Sequence, residues 1–420
     1  MKKYIFCFIL IFQGFLGFAQ KNYPAIAEKF LGFFNQEQAD SIFKMYAAVL
    51  QAQLPLEKNR TVMTGLHIRF GELKSLELIK QDSGYARYKA IFKDQILILV
   101  LAFDKEDLMD GIRFVPFQPE TALDSNKNSQ SNISLKTSKG NIYGSLLVPK
   151  GTLRYPVVLI IAGSGPVDRN GNVGQTLSTN AYKLLADSLL KKGIATLRYD
   201  KRGVGESVDA MGAESDLSFE DGIGDATRFV EMLKTDNRFS KVIVLGHSEG
   251  SLVGMVATFR GRANGFISLA GAGERIDKII ESQLKNRSPL QAAQAKKLFD
   301  SLLNGYSVNP GADLQYLFRP SIQPYLKSWL KFNPTVEISK LKIPVLIVQG
   351  TTDLQVSIQQ AQWLKAADPA AQLVLIDQMN HVLKESGKEE KENMATYTNP
   401  SLPLKAALLK AIENFVWSIK

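Results

Sequence analysis

Three residues whose types combine in nucleophilic catalysis follow separate strand-like segments: Ser248, Asp353 and His381. A serine hydroxyl needs a base before it attacks at neutral pH, and a histidine base needs a carboxylate that orients it. Ser248 lies in Gly-His-Ser-Glu-Gly, between the apolar run VIVL and a segment with helical spacing. Strand, sharp turn and helix in that order strain the serine backbone and expose its hydroxyl. We therefore predict that Ser248 is a nucleophile; a glycine-rich turn without chemistry is the alternative.

The base must come from only three histidines. His67 lies far upstream, and His247 is adjacent to Ser248, where strand alternation is expected to turn its side chain away. His381 lies in a loop after the strand-like segment QLVLID. Loops at the carboxyl ends of strands are where the active sites of open α/β sheets gather. His381 is therefore the predicted base.

The orienting acid is expected between the serine and the histidine. Asp353 directly follows the apolar segment PVLIVQG, again at the carboxyl end of a predicted strand. Asp377 is a poorer candidate because it lies only four residues before His381, on the same strand approach. We predict Asp353 as the acid, which places the three residues in the order of an α/β-hydrolase triad.

Acyl transfer also requires two N–H donors for the negative charge of the tetrahedral intermediate. One predicted donor is the backbone N–H of Glu249, which follows the nucleophile. The other is expected in the loop AGSGP, residues 162–166, which follows the strand VVLII. Ser164 N–H is the preferred donor there, and Gly163 N–H is the alternative.

The chain has 420 residues, more than a typical single core, and its first residues resemble a targeting segment. Residues 1–19 combine a basic start, an apolar run and a small-x-small ending at Ala19, and so predict a cleavable signal peptide. A retained N-terminal anchor is the alternative. The one cysteine, Cys7, lies inside this segment, so the mature protein is expected to lack disulfides. The signal peptide itself predicts a secreted or periplasmic protein.

Two folded domains are predicted after the signal peptide. Residues 20–118 show two amphipathic helical segments followed by strand-like runs, beginning with LHIRFGELKSLELI, which suggests a small α+β domain. Its pattern resembles NTF2-like domains. A polar segment, residues 119–132, is the predicted linker.

Residues 133–420 alternate strand and helix patterns, which predicts an α/β fold with a mostly parallel sheet and helices on both faces. Between the strands GFISLAG and PVLIVQG, residues 273–343 are mainly helical and are the predicted lid. This interval contains four aromatic residues that either roof the pocket or fill the core of the lid: Tyr316, Phe318, Tyr325 and Trp329.

Several segments together resemble the serine-aminopeptidase-like group of α/β-hydrolases, and especially EstD-type bacterial esterases: AGSGPVDRNGN, LRYDKRGVGES, LGHSEGS, LFRPSIQPYL, PVLIVQGTTDLQV and NHVLK. The resemblance implies an α/β-hydrolase fold with a helical lid and a triad that falls on Ser248, Asp353 and His381. One position departs from the pattern, because Ala162 stands where such loops often have histidine. The side chain at position 162 is therefore not expected to support that loop by hydrogen bonding.

Other chemistry has little support in the sequence. The net charge of +10 is dispersed and no basic stripe predicts nucleic-acid binding. Scarce histidine and cysteine give no metal-ligand cluster, so no metal is expected. AGSGP is not followed by the Gly-Lys-Ser/Thr of a P-loop, so no nucleotide cofactor is expected either. Asp200 and Arg202, like Asp168 and Arg169, are expected to form ion-paired loop braces.

The sequence thus favours a serine hydrolase that acts on a small-molecule ester, without stable membrane insertion after signal cleavage. A serine aminopeptidase or dipeptidyl peptidase is one alternative; it needs a carboxylate for the substrate amine, and Glu274, Asp277 and Glu281 of the lid are candidates. A non-catalytic binding protein on a hydrolase scaffold is the other. The N-terminal domain is expected to restrict access to the pocket or to mediate a homodimer.

Overall fold

The computed structural model describes residues 23–82, 84–93, 95–116, 129–151, 154–174, 176–285 and 288–420. The predicted signal peptide, residues 1–19, lies outside this range. The chain divides into two units between Thr121 and Ala122, and each is described by itself.

The first unit places helices before an antiparallel sheet, which confirms the predicted α+β arrangement. The sheet has the order β1-β2-β3-β4, and every neighbouring pair is antiparallel. Aromatic and aliphatic side chains of the helices and of one sheet face form a single core. The elements are α1 Tyr23–Asn35, α2 Ala39–Phe43, α3 Ala48–Gln53, α4 Leu56–Phe70, β1 Leu73–Asp82, β2 Tyr85–Phe92, β3 Ile96–Phe103 and β4 Met109–Pro116.

Two local expectations for this unit are wrong. The segment LHIRF was assigned to the first strand, but it forms the end of α4, and β1 begins only at Leu73. Met63 and Phe70 are buried at helical spacing, and Gly71 ends the helix with a φ of 71°. The second predicted helix, ADSIFKMYAAVLQAQL (residues 39–54), is divided into α2 and α3 by Tyr46, which pairs with Met109 of the sheet.

The second unit is built on an eight-stranded sheet with the order β14-β13-β12-β11-β7-β10-β6-β5. The strands from β14 to β10 are parallel, and β6 and β5 continue the sheet antiparallel at one edge. Its strands are β5 Ser129–Lys136, β6 Asn141–Val148, β7 Tyr155–Ile161, β10 Ala195–Tyr199, β11 Phe239–His247, β12 Gly265–Leu269, β13 Val345–Gly350 and β14 Gln372–Ile376; a separate short hairpin has β8 Asn172–Val173 and β9 Leu177–Ser178.

The predicted linker overlaps this sheet. Residues 129–132 were assigned to the linker, but they form the first half of β5 and pair with β6. Gln130, Ser131 and Asn132 are exposed at the edge of the sheet, so their composition is that of a linker although their backbone is paired.

Helices cover both faces of the large sheet, and each face has its own apolar core. α6 and α7 pack with one core, whereas α5 and α15 pack with the other. Among the described residues, no helix is both long and apolar enough to cross a membrane. The helices are α5 Ala181–Leu190, α6 Phe219–Thr235, α7 Glu249–Gly261, α8 Ile276–Lys285, α9 Pro289–Leu303, α10 Gln315–Phe318, α11 Gln323–Trp329, α12 Pro334–Ser339, α13 Ile358–Ala367, α14 Glu390–Ala395 and α15 Ala406–Ser418.

The predicted lid interval between β12 and β13 contains α8 to α12, and part of it has a separate core. Phe299 and Phe318 pack edge to face in this core, with ring centroids 4.7 Å apart. The lid is therefore a small folded layer with its own apolar interior.

The strand order reverses at β7, which fixes where a site forms. β7 connects to β10 on one side, and the chain then returns to β11 on the other side. Ligands of open α/β sheets bind at the carboxyl ends of strands at such a switch point. The loop after β7 and the turn after β11 therefore meet at this crevice.

A buried lysine anchors the segment that follows β14. Lys384 is fully buried, and its ammonium group donates a hydrogen bond to the Leu402 carbonyl. Its backbone N–H donates to Oδ1 of Asn380. Burial disfavours the charged form and lowers the pKa of Lys384 to about 8.

This lysine is expected to make folding stability rise with pH above neutrality. Its pKa is lower in the folded chain than in the unfolded chain, so between pH 8 and 10 the unfolded state binds more protons. We expect the free energy of unfolding to gain about 2 kcal/mol between pH 7 and 9.5 relative to the Lys384→Met variant. Urea unfolding at both pH values measures this. Equal pH dependence of the wild type and Lys384→Met would contradict it, and the exposed Lys388→Met variant is the control.

Candidate active site

Ser248 occupies a sharp turn between β11 and α7. Its φ of 55° and ψ of −121° lie in a region that non-glycine residues rarely adopt. Its backbone N–H donates to the Leu269 carbonyl at the end of β12 (2.9 Å), which fixes the turn against the neighbouring strand. The strained backbone is that of a nucleophile elbow, which presents the serine hydroxyl at the edge of the sheet.

The two glycines that flank Ser248 are required by close backbone approach. A Cβ atom on Gly246 would lie 2.0 Å from the Gly250 carbonyl oxygen. One on Gly250 would lie 2.5 Å from the carbonyl oxygens of Ile161 and Ala162, at the end of β7. Neither contact is possible for a side chain, so the motif brings α7 directly against β7.

Asp353 and His381 are brought together from different loops. Oδ2 of Asp353 lies 2.8 Å from Nδ1 of His381, and both side chains are almost fully buried. Oδ1 of Asp353 accepts the backbone N–H groups of Gln355 (2.8 Å) and Val356 (2.9 Å). Burial acts to raise the pKa of Asp353, but His381 and these hydrogen bonds outweigh it and hold the pKa below its usual value. The carboxylate is therefore ionised at neutral pH.

One cavity joins four of the predicted residues. Ser248 and His381 line it together with Gly163 and Ser164 of the loop after β7. The sequence does not mark most of the other lining residues, because they lie in loops, in β9 and in α5, where neither residue type nor spacing distinguishes them. These are Val167, Gly171, Leu177, Thr179, Ala181, Tyr182, His247, Gln355, Val382, Leu383 and Tyr397.

The loop after β7 is packed against the elbow. A Cβ atom on Gly163 would lie 3.2 Å from Cβ of Ser248, so glycine permits this approach. Its N–H donates to the Tyr182 hydroxyl (3.2 Å), and its carbonyl accepts a hydrogen bond from the Lys201 ammonium. The alternative donor Gly163 N–H is thus already engaged. Tyr182 and Lys201 therefore support the loop that follows Ala162.

The expectation for His247 is wrong. Its ring lies 4.8 Å from the His381 ring and lines the same cavity. Strand alternation places it on the sheet face of Ile243 and Leu245, and the chain from Met379 to Leu383 packs on that same face. Burial, with a smaller contribution from neighbouring His381, lowers the pKa of His247 to about 3. This histidine is therefore neutral at physiological pH.

The side chain of Glu249 connects the elbow with the lid. The Tyr325 hydroxyl donates to Oε1 of Glu249 (3.0 Å). Burial, and to a smaller extent the Glu249 carboxylate, raise the pKa of Tyr325, so the phenol keeps its proton. Trp329 stacks on Phe219, with centroids 5.1 Å apart, and does not line the cavity described above.

The remaining aromatic and acidic candidates of the lid lie apart from that cavity. Phe318 is buried in the lid core, and Tyr316 is exposed. Glu274 accepts a hydrogen bond from Gln360 (2.9 Å), and Asp277 pairs with Arg275 (2.7 Å). Glu281 pairs with Lys278 (3.4 Å).

The charged residues of two other motifs act as braces. Arg169 donates to Asp200 from its backbone N–H (2.7 Å) and from its guanidinium, and both side chains are buried. Arg202 instead pairs with Asp225 (2.7 Å). Asp168 accepts the N–H groups of its own turn. In the described part of the chain, no group of three or more potential ligand side chains is arranged to hold a metal ion.

Comparisons with known proteins identify hydrolases as relatives of this chain. The family model of the serine aminopeptidases (S33) matches residues 174–323. The chain is 25% identical to the esterase EstD of Thermotoga maritima over 396 residues, which cover 90% of this chain and 91% of the relative. With the order of the sheet, these matches confirm the predicted α/β-hydrolase fold and the resemblance to this group. The likeness of the first unit to NTF2-like domains stays a prediction.

Two solved structures show lower similarity. Est1E of Butyrivibrio proteoclasticus, in a structure with bound ferulic acid, has 16% identity and a TM-score of 0.46, and the match covers 68% of this chain and 98% of that one. An acylaminoacyl peptidase of Pyrococcus horikoshii has 13% identity and a TM-score of 0.44, with 83% of this chain and 49% of that one covered.

The space around Gly250 predicts a sharp difference between two glycine substitutions. Gly250→Ala places a Cβ atom against backbone carbonyls at 2.5 Å and is expected to lower the free energy of unfolding by about 3 kcal/mol. Gly222→Ala in α6 meets nothing within 4 Å and is expected to raise it by up to about 1 kcal/mol. Urea unfolding of both variants measures this; similar stabilities would contradict the close approach of α7 to β7.

Proposed function

We propose that this α/β-hydrolase cleaves carboxylic esters by nucleophilic attack of Ser248. The observation that carries the proposal is the strained turn at Ser248, at one cavity with a buried, hydrogen-bonded pair of Asp353 and His381. Backbone strain of this kind costs free energy and persists where function requires the geometry.

His381 serves as the base in this reaction. Its Nδ1 is directed to Asp353, so the ring carries its proton on Nδ1 and presents Nε2 as the acceptor. Nε2 takes the proton of Ser248 as Oγ attacks the ester carbonyl carbon. The same proton then goes to the alkoxide, and the alcohol leaves.

Backbone N–H groups stabilise the tetrahedral intermediate. Glu249 is the first residue of α7, so its N–H lies at the positive end of a helix dipole. Ser164 lines the cavity from the loop after β7. These two donors bind the oxyanion, while Gly163 N–H is held by Tyr182. Water activated by His381 then hydrolyses the acyl-enzyme.

Asp353 stabilises the charged histidine that forms in each half-reaction. It accepts two backbone N–H groups on one oxygen, and on the other it accepts His381 and Nε2 of Gln349 (3.0 Å). Four donors therefore hold one carboxylate in place. Such a carboxylate fixes the tautomer of the histidine without itself taking the proton.

Ester rather than peptide cleavage is supported by the relative and by the lid. The EstD relative is named an esterase. A peptidase of the considered kind needs a carboxylate for the substrate amine, but Glu274, Asp277 and Glu281 have partners of their own. Esters also have the better leaving group and need less protonation of it.

Replacement of the nucleophile tests this function directly. Ser248→Ala is expected to lower kcat for short-chain p-nitrophenyl esters by about a thousand-fold or more, because it removes the oxygen that forms the acyl-enzyme. Release of p-nitrophenol by the mature protein measures this. Ser339→Ala is the control, since this exposed serine bonds the Val336 carbonyl in α12.

A parallel panel of aminoacyl-p-nitroanilides separates the competing functions. Faster cleavage of the anilides than of the esters would move the protein to the peptidases. Equal turnover by the wild type and Ser248→Ala on both panels would contradict catalysis by this serine and favour the binding-protein alternative.

A second substitution separates the two aspartates near His381. Asp353→Asn keeps the shape of the side chain but favours the wrong tautomer, and kcat is expected to fall by about 10³- to 10⁴-fold. Asp377→Asn is the matched control; this exposed carboxylate accepts a hydrogen bond from Thr351 (3.0 Å), and its loss is expected to change kcat less than about twofold. A greater loss in Asp377→Asn would contradict the assignment.

A further inference from the structure

A continuous chain of hydrogen bonds runs beneath the proposed site. The Gly163 N–H donates to the Tyr182 hydroxyl (3.2 Å), and that hydroxyl lies 2.8 Å from Nδ1 of His247. On the other side of the ring, Nε2 of His247 lies 2.9 Å from the backbone carbonyl oxygen of His381. The loop after β7 and the loop after β14 are connected in this way through α5 and the end of β11.

The partners determine the direction of each bond. A carbonyl oxygen only accepts, so Nε2 of His247 carries the proton and donates to His381. The neutral ring then accepts at Nδ1, and the Tyr182 hydroxyl donates to it. The Tyr182 oxygen remains an acceptor for Gly163 N–H. Every group in the chain therefore uses the role that its chemistry allows.

The side chains that form this hydrogen-bond chain are buried and rigidly held. Tyr182 is 4% and His247 is 7% exposed, so water does not compete for these bonds. The Tyr182 ring meets the His247 ring edge to face at 5.6 Å. Gly163 also packs against this ring, since an added Cβ atom would lie 3.4 Å from Nδ1 of His247.

We propose that Tyr182 and His247 are positioning residues that hold the oxyanion loop and the His381 backbone at fixed distances from Ser248. The inference rests on the function proposed above. Both connected loops supply groups that act in the transition state: one supplies Ser164 N–H, and the other supplies the base. Displacement of such groups by about 1 Å lowers the rate strongly, while ground-state binding changes little.

Two substitutions break the chain at different links. Tyr182→Phe removes the hydroxyl and leaves both Gly163 N–H and Nδ1 of His247 without this partner. His247→Leu removes the ring and breaks the bonds to Tyr182 and to His381 together. We expect kcat for p-nitrophenyl esters to fall about 10-fold in the first variant and about 100-fold in the second, with KM within about threefold of the wild type.

Conservative variants at position 247 test the two links separately. Asn places an amide near Nδ1 and keeps the contact with Tyr182, whereas Gln reaches toward Nε2 and keeps donation to the His381 carbonyl. Each is expected to recover part of the kcat that Leu loses. In the double variant Tyr182→Phe/His247→Leu, the loss is expected to be no greater than in His247→Leu alone, because one chain is already broken.

If Tyr182 and His247 only stabilised the fold, their substitution would leave kcat per active site unchanged. Tyr46→Phe is the matched control: this buried hydroxyl donates to Asn59 (2.8 Å) in the first unit, and its loss is expected to change stability without changing kcat. Active-site titration with a p-nitrophenyl phosphonate counts the competent Ser248 in each preparation. The proposal is overturned if kcat per titrated site is unchanged in Tyr182→Phe and His247→Leu, or if the two losses multiply in the double variant.

A measurement independent of turnover separates this inference from the proposed function. Nitrogen-15 NMR of the labelled histidine rings reports the tautomer of each, with His247→Gln used for assignment. We expect His247 to remain neutral with its proton on Nε2 at pH 5, and Tyr182→Phe to shift its Nδ1 resonance. A protonated His247 at pH 5 would overturn the proposal. Absence of ester turnover in the wild type, with this NMR result intact, would reject the proposed function but not the hydrogen-bond chain.

Discussion

The backbones of α7, β11 and β7 approach one another too closely for a side chain to fit between them, and this close approach determines the geometry of the whole site. Gly246 and Gly250 bring backbone against backbone on both sides of Ser248, and the turn has no freedom to relax. The left-handed φ of Ser248 is maintained by this contact, by its N–H bond to β12 and by the helix that begins at the next residue. Strain at one residue is thus balanced by packing of the layers around it.

The fixed position of Ser248 also requires the neighbouring loops to hold their polar groups at fixed positions. The carboxyl ends of β7, β11, β13 and β14 meet at one edge, and each is followed by a loop that supplies one part of the site. Since loops are less constrained than strands, their polar groups need fixed partners. Asp353 obtains them from four donors, and Gly163 from Tyr182 and Lys201. The precision of the site comes from hydrogen bonds behind the reacting groups.

The sequence predicts the site residues that follow the ends of strands, and it misses those that lie on the faces of helices. Ser248, Asp353 and His381 each come after an apolar strand, so the parallel sheet alone brings them to one edge. Tyr182 lies on the first turn of α5, and no spacing relates it to the serine. His247 shows the limit of strand alternation, which gives the face of a residue but not what covers that face. Residues 129–132 of β5 and the helical segment LHIRF differ from the prediction because composition and short periodicity each fit two structures.

The neutral state of His247 is itself a requirement of the charge balance. In the proposed mechanism His381 becomes positive, and the ionised Asp353 compensates that charge. A second positive ring with its centroid 4.8 Å away would oppose this by about 3 kcal/mol at an effective dielectric constant of about 20. Burial prevents protonation of His247, and donation from the Tyr182 hydroxyl occupies the nitrogen that would receive the proton. Because His247 stays neutral, the proposed mechanism can place a positive charge on the neighbouring His381 ring.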